Sequence, residues 1–347
     1  MQGSSPAPLR VAAFTAGENV PAARFRVRQY RAALAEQRID LREYWPRLGA
    51  YPPRSRLLRP AWLAGTLTER LPQLVAAAHS DVVLLQRELV STLPTLEGLT
   101  RRPRIVDIDD AIHLLRGGRA ARQLARLADL VIVGNPNLAE IWRRWTAAVV
   151  ILPTAVDTER YAPAPFPERP VLGWIGTAGN FRYLDKIVPA LEQITRRFPQ
   201  AEIAVCSDAL PDLGRLPVRH VPWSEAAEAP FLASISVGLM PLDDSEWERG
   251  KCSFKMLQYM AAGRPCVVSP VGMNRDILAQ AEIGRAATSE PEWVEAISAL
   301  LADRDQAESL GAAGRALAQA QYSLAALAPR LAGLIRRAAS GNFAGAR

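Results

Sequence analysis

Two lysines mark the stretch of this sequence best suited to chemistry. The chain of 347 residues holds 42 Lys+Arg, of which only Lys186, Lys251 and Lys255 are lysines. Two of the three fall within residues 250–268, GKCSFKMLQYMAAGRPCVV. Lysine offers a compact charge on a flexible stem where arginine offers a planar fork, so its retention here reads as a chemical choice. Residues 254–262 have helical spacing, with Phe254, Leu257 and Ala261 forming a buried stripe. Gly263 suits the position after that helix, Pro265 prevents its continuation, and residues 266–268 read as a buried strand. Lys251 therefore precedes the first turn, with Cys252, Ser253 and Phe254 at the helix start, while Lys255 and Gln258 share a face at i, i+3. Open N–H groups beside an ammonium make a seat for phosphate. An ordinary helix–strand unit with two solvated lysines fits the same spacing.

Other candidates sit where strands run into loops. Residues 171–175 read as a strand, followed by Gly176-Thr177-Ala178-Gly179-Asn180 and a helix near 184–197 that carries Lys186. Gly173, Gly176 and Gly179 allow close backbone approach to a phosphate, although their spacing is not the dinucleotide fingerprint. Trp223 follows a short strand at 218–221 and is a candidate to border a nucleotide base, or simply an apolar edge. In the first half, a strand at 9–15 leads into Gly17, a further point of close ligand approach. A strand at 81–86 exits at Arg87 and Glu88, and residues 104–110, RIVDIDD, end in Asp107, Asp109 and Asp110. A strand-end carboxylate can accept hydrogen bonds from sugar or acceptor hydroxyls, and Asp110 can equally cap the next helix. Three widely spaced histidines disfavour a His-based zinc site, and Cys206, Cys252 and Cys266 lack a CxxC spacing and read as reduced thiols.

Alternating strands and helices position these groups. Further strands are read at 39–44, 129–134, 149–153, 201–206 and 236–240, with helices at 22–37, 61–78, 292–301, 306–319 and 324–337. Residues 46–60, rich in Pro and Arg, read as an exposed loop, and 243–248 as an acidic turn. The continuous apolar strands indicate α/β architecture with parallel sheets, and the length favours two domains. The expected division is 1–160, a Pro-rich linker at 161–170, 171–322, and a last segment 323–347 whose helix packs back towards the first domain. The composition is 49 % hydrophobic with a net charge of +7. Arginines gather at 24–31, 101–104 and 116–126. They form a solvated surface, or one attracted to an anionic membrane or a phosphorylated acceptor; no nucleic-acid motif accompanies them. The N-terminal MQGSSPAPLR is polar and the apolar run after it is too short for a signal or a span. A cytoplasmic protein is expected, with peripheral attachment to the inner membrane face as a further option.

YMAAGRPCVVSPVG, with the stretch before it, resembles the nucleotide-sugar segment of GT-B glycosyltransferases, particularly family 4, the glycosyl transferase group 1 type. PTAVDTERY at 153–161 is similar to the family's interdomain segment. Members often carry two glutamates eight apart; here Gly250 and Gln258 occupy those positions. Asp109-Asp110 aligns with a His-Asp pair of many members, Asp109 standing where the histidine would be. Asp107, Asp109 and Asp110 also resemble the D-x-D metal site of other glycosyltransferase folds, but GT-B enzymes generally need no catalytic metal. The resemblance implies two doubly wound Rossmann-like domains facing across a cleft, the first on the acceptor side and the second binding the nucleotide sugar. It implies metal-independent hexosyl transfer with retention, in cell-surface glycan or secondary-metabolite glycoside synthesis. The donor is a co-substrate and no cofactor is expected; the acceptor is a saccharide, a lipid-linked saccharide or a small molecule. Lys251 and Lys255 would stabilise the leaving diphosphate, Gln258 the ribose hydroxyls, and Asp109 or Asp110 the sugar or acceptor. A nucleotide-sugar epimerase and a non-catalytic nucleotide-sugar-binding or scaffold subunit are the alternatives, the second motivated by the missing glutamates.

Overall fold

The computed structural model describes residues 7–342. The polar start at 1–6 and the end of the tail at 343–347 lie outside the described residues. The chain divides into two compact units, residues 1–155 with 324–347, and residues 156–323.

The first unit alternates strand and helix: β1 (Leu9–Phe14), α1 (Pro21–Arg26), α2 (Arg31–Glu36), β2 (Ile39–Tyr44), α3 (Arg59–Ala77), β3 (Val82–Gln86) and β4 (Arg104–Ile108). It continues through α4 (Arg119–Leu127), β5 (Leu130–Val133), α5 (Pro136–Trp142) and β6 (Val149–Ile151). The sheet order is β2-β1-β3-β4-β5-β6, every pair parallel. β3 and β4 are buried along their whole length, which is why they are mostly apolar without a two-residue alternation, Arg104 and Asp107 being the charged exceptions in β4.

The second unit holds β7 (Val171–Ile175), α6 (Phe181–Asp185), α7 (Val188–Arg197), β8 (Glu202–Ser207), β9 (Val218–Pro222), α8 (Glu225–Ala233) and β10 (Val237–Met240). It continues with α9 (Glu246–Arg249), α10 (Phe254–Ala261), β11 (Cys266–Val268), α11 (Met273–Leu278), β12 (Gly284–Ala286), α12 (Glu290–Ala302) and α13 (Arg304–Leu317). Its parallel order is β12-β11-β10-β7-β8-β9. The last helix, α14 (Leu324–Ala339), belongs to the first unit and buries Leu327, Leu331 and Ile335 in its core.

Three readings need correction. The helix expected over 22–37 is broken: Val27 leaves helical geometry at φ −128°, and Arg26, Val27 and Tyr30 all turn inward. The helix near 184–197 is two helices, because Pro189 starts α7 and its ring disfavours helical geometry just before it. The Pro-rich run is not a free linker. Buried Arg264 donates to the carbonyls of Ala164 (2.9 Å) and Pro165 (3.2 Å) and stacks on Phe166, while Arg304 donates to the Phe166 carbonyl at 3.1 Å. Those arginines hold the run against the second unit.

Candidate functional site

Chain direction decides where a ligand can enter an open parallel sheet. In the second unit the strand order reverses between β7 and β10, so their carboxyl ends flank the crevice that such sheets use. The loop 176–180 leaves β7 at that point, and residues 241–255 leave β10 and run into α10. The two sequence candidates meet here. A Cβ on Gly176 would stand 2.7 Å from Lys255 Cε and 2.7 Å from Trp174 Cη2. Only glycine leaves this room.

Lys255 Nζ lies 5.5 Å from the centroid of the buried Trp174 ring, and Lys251 Nζ lies 5.7 Å from that of Trp247. Each ammonium rests on an indole, the aromatic face that attracts cations most. Among the described residues no carboxylate pairs with Lys255. Burial, and then the charge of Lys251, push its ammonium down to about 8. An anion placed here would relieve both causes.

The surrounding loops are pinned. Asp208 accepts from the Ala178 amide at 2.6 Å, and within the same turn Asn180 donates to Thr177 Oγ1 at 3.0 Å. Gly179 faces open space. Glu248, almost fully buried, accepts from Tyr183 Oη and Ser245 Oγ and pairs with Arg182 at 3.2 Å. Burial opposes its ionisation, but these hydrogen bonds and the charge of Lys251 outweigh that and hold the carboxyl below its usual range. Lys186 pairs with Asp243, and Asp244 with Arg249 at 2.7 Å. The acids of the 243–248 turn therefore clasp α6 to the segment carrying Lys251. Ser253 adopts a left-handed φ of +52° at the start of α10 without capping it, strain of a kind that concentrates at functional turns. The Cys252 and Phe254 side chains pack into or against the core.

Gln258 is buried beneath this surface. Its amide donates to Tyr161 Oη at 3.1 Å, Tyr161 donates to Glu228 at 2.7 Å, and Trp223 Nε1 reaches the other Glu228 oxygen at 3.1 Å. Gln258 and Trp223 are thus two ends of one hydrogen-bonded chain. Tyr161 closes the 153–161 segment singled out in the sequence, but its link to Glu228, 67 positions away, carried no signal there. Arg182, in the first turn after the glycine loop, was also missed; its place on a helix start beside the lysines was the available clue.

In the first unit the order reverses between β1 and β3. Gly17 leaves β1, and a Cβ there would meet Val20 Cγ2 at 3.3 Å. Arg87 leaves β3 in a left-handed conformation, φ +65°, its guanidinium 3.7 Å from Glu88. Gln86 donates to Asp109 at 3.2 Å. Burial pushes the Asp109 carboxyl up to about 6; Arg87 opposes this, and Asp110 adds to it. Asp110 accepts from the Ala111 amide at 2.9 Å, a local turn rather than a helix cap. Asp107 points away into the core and pairs with Arg26. No cluster of three or more His, Cys, Asp or Glu among the described residues could hold a metal.

Residues 169–303 match the family model described as "Glycosyl transferases group 1". The fold is GT-B, and the likeness to group 1 glycosyl transferases covers residues 169–303. Among solved structures, sucrose-phosphate synthase from Thermosynechococcus elongatus aligns with TM-score 0.75 and 17% identity, over 95% of this chain and 98% of that one. HepE of Anabaena, in complex with UDP and glucose, gives TM-score 0.69 and 15% identity, over 94% and 99%. WaaG, described as a glycosyltransferase involved in lipopolysaccharide biosynthesis, gives TM-score 0.66 and 15% identity, over 94% and 99%. No curated protein matches the chain by sequence. The Gly176 loop, Lys251, Lys255 and Gln258 all lie within the matched residues.

Proposed function

We propose that this GT-B protein transfers a sugar from a nucleotide-diphosphate sugar to an acceptor. One observation carries the reading: a partly buried lysine, without a carboxylate partner, packed on Trp174 and against Gly176 at the switch point of a group 1 transferase domain. Positive charge held in place before reaction stabilises charge that grows on the leaving diphosphate, commonly the largest catalytic contribution. Lys251 and Lys255 would meet the diphosphate oxygens with backbone N–H groups of the 176–180 loop and the start of α10. Trp223 would border the base. Gln258 would serve the ribose hydroxyls, its amide oriented by Tyr161 and Glu228. Asp109 and Asp110 would accept from sugar or acceptor hydroxyls. A hexosyl transfer with retention and without a catalytic metal, in cell-surface glycan or glycoside synthesis within the cytoplasm, fits this set. HepE was solved with UDP and with UDP-glucose, which makes uracil the first base to try.

The test is release of nucleoside diphosphate from candidate sugar donors, with and without an acceptor panel of saccharides, lipid-linked saccharides and small hydroxylated molecules. Release that requires an acceptor supports transfer; conversion of the donor sugar without release would replace the reading by epimerisation. The same assay carries a pH prediction. With its carboxyl near 6, Asp109 is protonated and loses acceptor capacity as pH falls below that value. The acceptor KM should rise below about pH 6 in the native protein and stay flat over that range in Asp109→Asn. An unchanged acidic limb in the variant would remove Asp109 from the site.

A further inference from the structure

We propose that residues 47–75 of the first unit form a docking surface for an anionic lipid bilayer. The inference does not rest on the donor reading above.

From position 45 to 68 the chain contains no Asp or Glu, while Arg47, Arg54, Arg56 and Arg59 give it four positive charges. The wider segment 47–75 carries most of the exposed apolar tips among the described residues. Ten large apolar side chains are exposed among the described residues, and six fall here: Leu48, Tyr51, Leu57, Leu58, Leu71 and Val75. Leu57 is 91% exposed. Such a concentration in a short segment is not the scatter normal for single surface apolar groups.

The backbone is built to present these tips. The Arg47 and Leu48 amides both donate to the Glu69 carboxylate, at 2.7 and 3.4 Å, and tie the loop to α3. Arg59 Nε donates to the Pro53 carbonyl at 3.2 Å, closing the segment on itself. Pro46, Pro52, Pro53 and Pro60 restrict the chain further. Leu57 and Leu58 stand on a tight turn at 56–58 that feeds directly into α3. Leu71 and Val75, one helical turn apart, extend the apolar surface along α3.

The order of residues selects the occupant. In Arg54-Ser-Arg-Leu-Leu-Arg59 the cations bracket two adjacent apolar tips, so both emerge together. A bilayer surface accepts that mixture, with phosphate headgroups meeting guanidinium groups while leucines enter the acyl boundary. No helix of the described residues is long and apolar enough to cross a membrane, so the contact is with the surface. The basic face of α4, with Arg119, Arg122 and Arg126 exposed, supplies an internal control, since charge there lacks a comparable set of apolar tips.

Co-sedimentation with vesicles tests the proposal. The full chain should bind vesicles of equimolar phosphatidylcholine and phosphatidylglycerol, bind pure phosphatidylcholine far less, and dissociate as salt rises. Arg54→Gln, Arg56→Gln, Arg59→Gln should weaken binding by on the order of a hundredfold, at about fivefold for each arginine near the surface. Leu57→Ser, Leu58→Ser should weaken it at least tenfold at every salt concentration, since two apolar tips no longer enter the boundary, ~0.8 kcal/mol per buried CH₂ being lost. Circular dichroism of both variants should match the native chain, because the changed side chains are exposed. Arg119→Gln, Arg122→Gln, Arg126→Gln should retain most binding. Failure of the native chain to sediment with the anionic vesicles would overturn the proposal. So would loss of binding in the α4 variant with none in the leucine variant, which would assign it to diffuse charge. Self-association lost in the leucine variant, without vesicle binding, would make the surface an interface between copies.

Discussion

Lys251→Ala, Lys255→Ala should lower acceptor-dependent release of nucleoside diphosphate by on the order of 10²–10³ or more in kcat/KM, by analogy with loss of one oxyanion donor. Lys255 lies on Trp174 and against Gly176, with no carboxylate to neutralise it. Burial, and then the charge of Lys251, strain its ammonium and push it down to about 8. That strain is relieved by an anion, most of all when a full negative charge develops on the departing diphosphate. The deficit should therefore appear in kcat more than in KM. Lys255→Arg should not restore activity: a planar fork cannot occupy the slot between the indole and a glycine backbone as a single ammonium does. An unfolding midpoint close to that of the native chain would show that the fold survives. Full transferase activity in the double variant would end the reading of these lysines.

The second large effect is on stability. Arg26→Ala should destabilise the first unit by about 3–5 kcal/mol, the cost of leaving one member of a buried pair uncompensated. Arg26 donates to both oxygens of Asp107, at 2.9 and 2.6 Å, with both side chains almost wholly buried. The same guanidinium donates to the Leu152 carbonyl at 2.9 Å and to Thr154 at 3.3 Å, joining α1, β4 and the segment after β6. Removing it strands a carboxylate in the core, beside a Tyr30 phenol already pushed up to about 12 by burial. In urea unfolding the midpoint should fall with little change in slope. Replacing both partners by apolar groups, Arg26→Met with Asp107→Leu, should cost less than Arg26→Ala alone, because no charge is left unpaired. A loss below about 1 kcal/mol in Arg26→Ala would show the pair to be screened as surface pairs are.

The two doubly wound sheets were legible because parallel strands covered on both faces are mostly apolar, as residues 82–85 are and as Ile105, Val106 and Ile108 are in β4. The helix after Ser253 and its stop at Gly263 were legible from spacing and from a glycine that takes φ +68°. What escaped depends on contacts distant in sequence. The break at Val27 exists because Arg26 reaches Asp107, 81 positions away. α8 runs through Pro230, and a proline inside a helix argues against one until Ser224 is seen capping its start. β12 is a short edge strand, Gly-Arg-Ala, with no apolar pattern to announce it. At the site, Lys251, Lys255 and the glycine loop were readable as types suited to phosphate. The Glu248 clasp and the Tyr161–Glu228 link were not, since each is made only when separate loops are brought to one end of a sheet.

The central claim is that the second unit seats a nucleoside diphosphate against Gly176, Lys251 and Lys255. Its most direct test is a thermal-shift titration with UDP, GDP, ADP and TDP, repeated in Lys251→Ala. Ligand at 100 times its Kd should stabilise the domain by about 2.7 kcal/mol. The account predicts a rise in Tm with at least one of the four, abolished in the variant. No shift with any of them, or a shift of equal size in Lys251→Ala, would contradict it.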